Sequence, residues 1–205
     1  WNKFKCKFYV KYIYYRFKQL SKLSKIKMNL TILQHKLASI YKELNDNNLE
    51  IIKSKVKDTL KSYDDNDWLT YVNKCDSTYN RELIYSSPEY DLVIITWCKN
   101  QGCAIHNHPE NGCTVKILQN SITEELYETE TLKLQKSSTY TTDDIMYIDD
   151  TLGYHRMCNK CDNPCVSLHI YAPGKYKPTF FSKNKKKSDW SSDDLFESTN
   201  IPDFI

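Results

Sequence analysis

The chain has 205 residues, 40% of them hydrophobic, and a formal charge of +3. That length holds one ordinary domain with tails, and the apolar fraction suffices for a core. Four glycines and six prolines are too few for a fibrous or low-complexity chain, and the charge is too mild to argue for a nucleic-acid partner. Sixteen tyrosines and abundant Lys, Asn and Ile read as AT-rich coding more than as function.

Residues 1–27 form a basic extension with no apolar core of a leader peptide, and Met28 is the first methionine, so the extension either precedes the true start or is genuine. No run approaches the ~18 apolar residues of a membrane span. The expectation is a cytoplasmic protein, with no membrane partner and with its eight cysteines reduced. From 29 to 62, Leu30, Leu33, Leu37, Ile40 and Tyr41 recur at helical spacing. Asn45 to Asn48 break the pattern, and Leu49, Ile52, Val56 and Leu60 restart it, which predicts two amphipathic helices. After Trp68 the chain becomes short β-branched and aromatic runs, "YDLVIITWC", "CTVKILQ", "ITEELYETE", "TLKLQKSSTYTT", "IMYID" and "CVSLHIYAP", separated by turn residues. Many short strands at this spacing predict a mainly β sandwich or barrel. The domain is expected over 28–182, and 183–205 is a charged, Ser/Asp-rich tail.

His35 falls inside the first helix and reads as structural or exposed; the other four histidines lie in the β region. In "CAIHNHPENGC", His106 and His108 are two apart, so on a strand both imidazoles point to one face. His155 follows the Gly-containing turn "TLGYH" and begins another strand. Three neutral imidazoles on one side of an ion leave the opposite positions open, as in oxygen-activating iron sites whose usual carboxylate is replaced by a third His. The alternative is a coincidental surface pair. In "VSLHIY", Ser167, His169 and Tyr171 alternate and share a face, either as a hydrogen-bonded row from hydroxyl to imidazole to phenol or as a plain core-facing polar row.

These residues, in this order and spacing, resemble cysteine dioxygenase, a thiol dioxygenase of the cupin superfamily. The likeness runs from about Met28 to about Phe181 and includes "YNRELIY", "WCKNQGCAIHNHPENGCTVKILQN", "YIDDTLGYHRMCN" and "VSLHIYAP". The resemblance implies a cupin-type β-barrel or jelly roll with N-terminal helices. Cupins generally place a Glu ligand about five residues after the H-x-H pair; here Cys113 stands there, while Asn159 follows His155 by four as the pattern expects. Three His without the carboxylate mark the thiol dioxygenases. Two further departures are Asn120 at a usual Gly, which tolerates a left-handed turn, and a slightly short linker between the His motifs.

The resemblance also implies one Fe(II) per chain on His106, His108 and His155. Free L-cysteine would bind through thiolate and amine, with its carboxylate held by Arg81 and with Tyr79 beside it. A guanidinium is a rigid fork that matches a carboxylate bidentately. O2 is the second substrate, and both its atoms end on sulfur as a sulfinic acid, a route to cysteine catabolism and taurine precursors. Cys113 and Tyr171 match a pair joined by a thioether in eukaryotic members, with His169 and Ser167 orienting the Tyr. Ala172–Pro173 matches a position near a cis peptide, and the expected state is a monomer.

Alternatives stay open at this point. A related enzyme acting on 3-mercaptopropionate would lack the Arg and the crosslinking Cys, and one acting on N-terminal protein cysteine would not need the Arg. A non-catalytic metal-binding cupin is the reading from another class. Cys158, Cys161 and Cys165, in "CNKCDNPC", read as an ordinary loop ahead of a disulfide or a metal site; Cys6, Cys75, Cys98 and Cys103 read as buried or incidental.

Overall fold

The computed structural model of the chain describes residues 27–45, 47–73 and 78–181. The expected charged tail and nearly all of the expected basic extension lie outside them. The two predicted helices are present, α1 over Leu30–Tyr41 and α2 over Leu49–Lys61. Asn29 caps α1, its side chain accepting from the Ile32 N–H at 2.9 Å. Leu30, Leu33, Leu37 and Tyr41 of α1 are buried, as are Ile52, Val56 and Leu60 of α2, whereas His35 is exposed. Between the helices Asn48 ties the turn, donating to the Glu43 carbonyl at 2.7 Å and accepting from the Asn45 N–H at 2.9 Å. That is why the Asn-rich stretch ends one helix and starts the next.

The strands are β1 Asn80–Ser86, β2 Asp91–Trp97, β3 Ile105–His106, β4 Cys113–Gln119, β5 Ser121–Tyr127, β6 Leu134–Thr141, β7 Ile145–Ile148, β8 Tyr154–Cys158, β9 Cys165–Tyr171 and β10 Phe180–Phe181. They make two five-stranded antiparallel sheets, in the orders β1-β2-β9-β4-β7 and β10-β3-β8-β5-β6. Two facing sheets of this kind, with helices on one outer surface, are the mainly β, cupin-type architecture expected from the sequence.

The apolar runs follow from three layers. Leu92 and Ile94 of β2, with Val166, Leu168 and Ile170 of β9, pack against α1 and α2. Their alternating neighbours Val93, Ile95 and Trp97 pack instead with Val115, Ile117, Ile122 and Met157 between the sheets. Strands buried on both faces lose the polar alternation that a solvent-facing strand keeps. Burying each such aliphatic side chain contributes ~1.5–3 kcal/mol. β6 shows the opposite case: an edge strand, mostly exposed and rich in Ser and Thr.

One polar contact links the helical layer to the sheet. Lys116 of β4 is only 3% exposed. Its Nζ donates to the carbonyls of Leu60 at 3.1 Å and Tyr63 at 2.8 Å, closing the C-terminal end of α2. Two turns depend on backbone freedom. Gly112 (φ +74°) precedes Cys113, and a Cβ there would lie 2.5 Å from the Ile148 carbonyl oxygen. Asn120, at the turn between β4 and β5, adopts φ 59°, as its tolerance of a left-handed turn predicts. Ala172–Pro173 is cis, as expected.

Candidate active site

His106 and His155 are cross-strand partners in the β3–β8 pair. His108 lies outside the strand, contrary to the expectation that one strand presents both rings. β3 ends at His106, and Pro109, which has no N–H to donate, cannot extend the ladder. His108 is held instead by its backbone N–H, which donates to Asp150 Oδ1 at 2.7 Å. The rings still converge. Centroids are 5.1 Å apart for His106 and His108, 4.8 Å for His106 and His155, and 4.5 Å for His108 and His155. One ring nitrogen from each lies within 4.8 Å of the others, and all three residues are buried.

The outward ring atoms orient two of the three imidazoles. His106 Nδ1 donates to the Ala104 carbonyl at 3.0 Å, and His155 Nδ1 pairs with Glu124 Oε1 at 2.7 Å. Each contact leaves Nε2 for another partner. Both ring nitrogens of buried His108 lack a hydrogen bond. Asp150 Oδ1 is 3.4 Å from its Nδ1 but not aligned to bond. Each unsatisfied buried polar atom costs ~1–3 kcal/mol, and a metal ion taking the lone pair of one His108 nitrogen removes that atom's share. Burial, then the neighbouring His155 ring, pushes the His106 pKa down to about 3 and that of His108 well below the usual range. Neutral imidazoles are the form that ligates, and imidazole suits iron, copper, zinc or nickel. The residues therefore fit a transition-metal ion.

A small cavity adjoins His106 and His155, and Arg81, Tyr79, Trp97 and Tyr171 line it too. Tyr79 is buried and stacks on Trp97 with centroids 4.6 Å apart. The Arg81 guanidinium lies 5.5 Å from the centre of the Tyr171 ring. The predicted polar row is present. Trp97 Nε1 donates to Ser167 Oγ at 2.8 Å, and Ser167 Oγ pairs with His169 Nε2 at 2.8 Å. His169 Nδ1 faces the Tyr171 hydroxyl at 3.4 Å. Burial, then the Arg81 charge, keeps this imidazole neutral.

Cys113 is directly opposite Tyr171 in the β4–β9 register, and its Sγ is 3.9 Å from His169 Nδ1. Burial raises the Cys113 thiol and the Tyr171 phenol alike. Cys103, which had no predicted task, also lines the cavity and accepts from the Met157 N–H at 3.2 Å; burial pushes its thiol up to about 11.

Sequence reasoning missed several contributors. Trp97 supplies the donor that sets the hydroxyl row. Glu124 backs His155. Tyr176, whose hydroxyl is buried without a partner, and Phe180 line the cavity from the chain beyond β9. The expectation of reduced thiols is corrected at Cys98, which is disulfide-bonded. Cys158, Cys161 and Cys165 are free; Cys161 lies in the connecting loop as expected, whereas Cys158 ends β8 and Cys165 opens β9.

Fold and site together define a cupin-type barrel whose three facing histidines can hold a metal beside a small, mostly apolar cavity. The chain belongs to the cysteine dioxygenase type I family, whose model matches residues 24–184. It is 32% identical over 128 residues to cysteine dioxygenase type 1 of Danio rerio, covering 58% of this chain and 64% of that one. It is 31% identical over 133 residues to the Rattus norvegicus protein of that name, covering 60% and 66%. The chain thus spans just under two thirds of these curated relatives. A solved structure from Klebsiella pneumoniae, described as having a double-stranded beta-helix domain, is 17% identical with a TM-score of 0.48, covering 56% of this chain and 93% of that one.

Proposed function

We propose that the chain is an Fe(II)-dependent dioxygenase that combines the thiol of free L-cysteine with both atoms of O2, giving cysteine sulfinic acid. The observation that carries this reading is convergence: two of the three facing imidazoles line the same cavity as Arg81 and Tyr171. Family membership and the names of the relatives point the same way.

His106, His108 and His155 would hold one Fe(II) per chain. When bound there, the ion supplies a Lewis acid that favours the substrate thiolate and the redox capacity that dioxygen chemistry requires. Arg81 binds the substrate carboxylate with charge-assisted bonds, and Tyr79, fixed by its stacking on Trp97, shapes the same wall. Tyr171 presents its phenol to the substrate, oriented by His169 and Ser167. Tyr79, Ser167 and His169 are buried and Arg81 and Tyr171 half-buried, which limits water at the site and strengthens the polar contacts there.

Cys113 and Tyr171 form a thioether in this reading, which their opposite positions in the β4–β9 register support. The Cys113 S–H and a ring C–H beside the phenol oxygen are lost, a C–S bond forms, and the two hydrogens with their electrons pass to dioxygen. The reaction route is cysteine catabolism towards taurine precursors, carried out by a monomer in the cytoplasm, where free cysteine stays reduced.

The test is oxygen uptake and sulfinate formation by anaerobically iron-loaded protein, with cysteine, cysteamine and 3-mercaptopropionate in parallel. Sulfinate from cysteine well above the other two supports the reading. Preference for 3-mercaptopropionate, or no sulfinate at normal iron occupancy, removes it.

A further inference from the structure

We infer that Glu124 is a positioning residue of the metal site: its carboxylate fixes His155 so that Nε2 turns toward His106 and His108, and it strengthens that nitrogen as a donor. The inference rests on the three histidines holding a metal, as proposed above.

Glu124 sits on β5, the strand next to the one that carries His155. The β5–β8 register sets Leu126 opposite His155 and Glu124 opposite Met157, two residues along. Side chains two apart share a face, so Glu124 reaches His155 on the diagonal, within range of a long side chain. The residue is only 8% exposed. One carboxylate oxygen meets His155 Nδ1 at 2.7 Å, and the other accepts from the Tyr140 hydroxyl at 3.2 Å.

Its neighbour shows what a purely structural Glu looks like on this strand. Glu125 accepts from Tyr127 at 2.6 Å, Arg156 at 2.7 Å and Lys160 at 2.9 Å, a brace of ordinary cations and a phenol. Glu124 has no such lysine or arginine among the described ion pairs; its pairing is with the imidazole. Burying a carboxylate is expensive unless its partners answer it. Here the partner is one member of a three-histidine cluster, held through its Nδ1.

The three histidines are also supported unequally. A backbone carbonyl holds His106 Nδ1, nothing hydrogen-bonds the ring of His108, and His155 alone is backed by a carboxylate at bonding distance. A carboxylate behind a ligating imidazole fixes its tautomer and makes the far nitrogen more basic. Glu124 brings a carboxylate to the cluster through His155.

The experiment measures metal affinity, not turnover. Metal-free protein, Glu124→Ala and Glu124→Gln are titrated anaerobically with Co(II) and Fe(II) against a competing chelator, and the Co(II) visible spectrum is recorded. Glu124→Ala should weaken binding about 10–100-fold and shift the Co(II) bands. Glu124→Gln, which keeps an acceptor but loses the charge, should fall between. Affinities within twofold of the parent for both variants would overturn the inference, even if the metal-free melting temperature dropped, because that would be a structural role. If Glu124→Ala does not fold, Glu124→Gln decides alone. Glu124-dependent metal binding without sulfinate from cysteine removes the proposed activity and leaves the inference standing; full sulfinate production with affinity independent of Glu124 does the reverse.

Discussion

Cys113 and Tyr171 face each other across the β4–β9 strand pair, with His169 beside both. Directly opposite residues in an antiparallel pair have Cβ atoms about 4.5–5.5 Å apart, close enough for the two side chains to meet. Aerobic, iron-loaded protein given cysteine should therefore yield a species lighter by two hydrogen atoms, with a linked Cys113–Tyr171 peptide in a tryptic map. Cys113→Ser should show neither. An unlinked map from the active parent protein would exclude the thioether.

Arg81 is the group that should separate cysteine from an amine lacking its carboxylate. Hydrogen bonds to a charged group contribute ~1.5–3 kcal/mol, so Arg81→Ala should raise the KM for cysteine about 10–100-fold. The use of cysteamine should change only a few-fold. Equal losses for the two substrates would assign Arg81 to the fold and not to recognition.

Glu125 makes stability depend on pH in a defined window. The Arg156 hydrogen bond first, then that of Tyr127, pulls its carboxyl from 4.5 down to about 2. A carboxyl depressed on folding stabilises above its unfolded pKa and loses that contribution as pH falls through its folded one. The gap in denaturation midpoint between parent and Glu125→Gln should be constant above about pH 4.5 and close toward about pH 2. A gap that does not change with pH would mean that Glu125 acts through packing alone.

Lys116 should matter out of proportion to its charge. Its Asp143 partner is 79% exposed and adds little, but the Leu60 and Tyr63 carbonyls rely on its Nζ. Lys116→Met keeps the bulk and leaves both carbonyls unsatisfied, which should lower unfolding free energy by ~1–3 kcal/mol. Chemical denaturation of the metal-free protein reads this directly.

The helices and most strands were legible because their patterns are set locally. Leu30, Leu33 and Leu37 mark one helical face, and Ser167, His169 and Tyr171 mark one strand face. The three histidines that converge could be read from H-x-H plus a later His. What escaped is what register decides. Nothing local in "SITEELYE" separates Glu124, which meets the His155 imidazole, from Glu125, which meets Arg156; the β5–β8 pairing does. Nothing in the sequence marks Trp97, whose indole donor gains meaning only once β2 is set against β9 near Ser167. The short β3 could not be foreseen either, since His106 is fixed by single-residue pairing to β8 and by β10 arriving from the far end of the domain.

The most direct measurement is the ratio of cysteine sulfinate formed to O2 consumed by anaerobically iron-loaded protein, alongside His108→Ala at the same protein concentration. His108 is chosen because its ring nitrogens have no hydrogen-bond partner to lose. One sulfinate per O2 from the parent, with iron binding and product both lost in His108→Ala, is the expected result. Iron bound by the parent through these histidines with no sulfinate produced, or sulfinate formed equally well by His108→Ala, would contradict the assignment of this site as a cysteine dioxygenase centre.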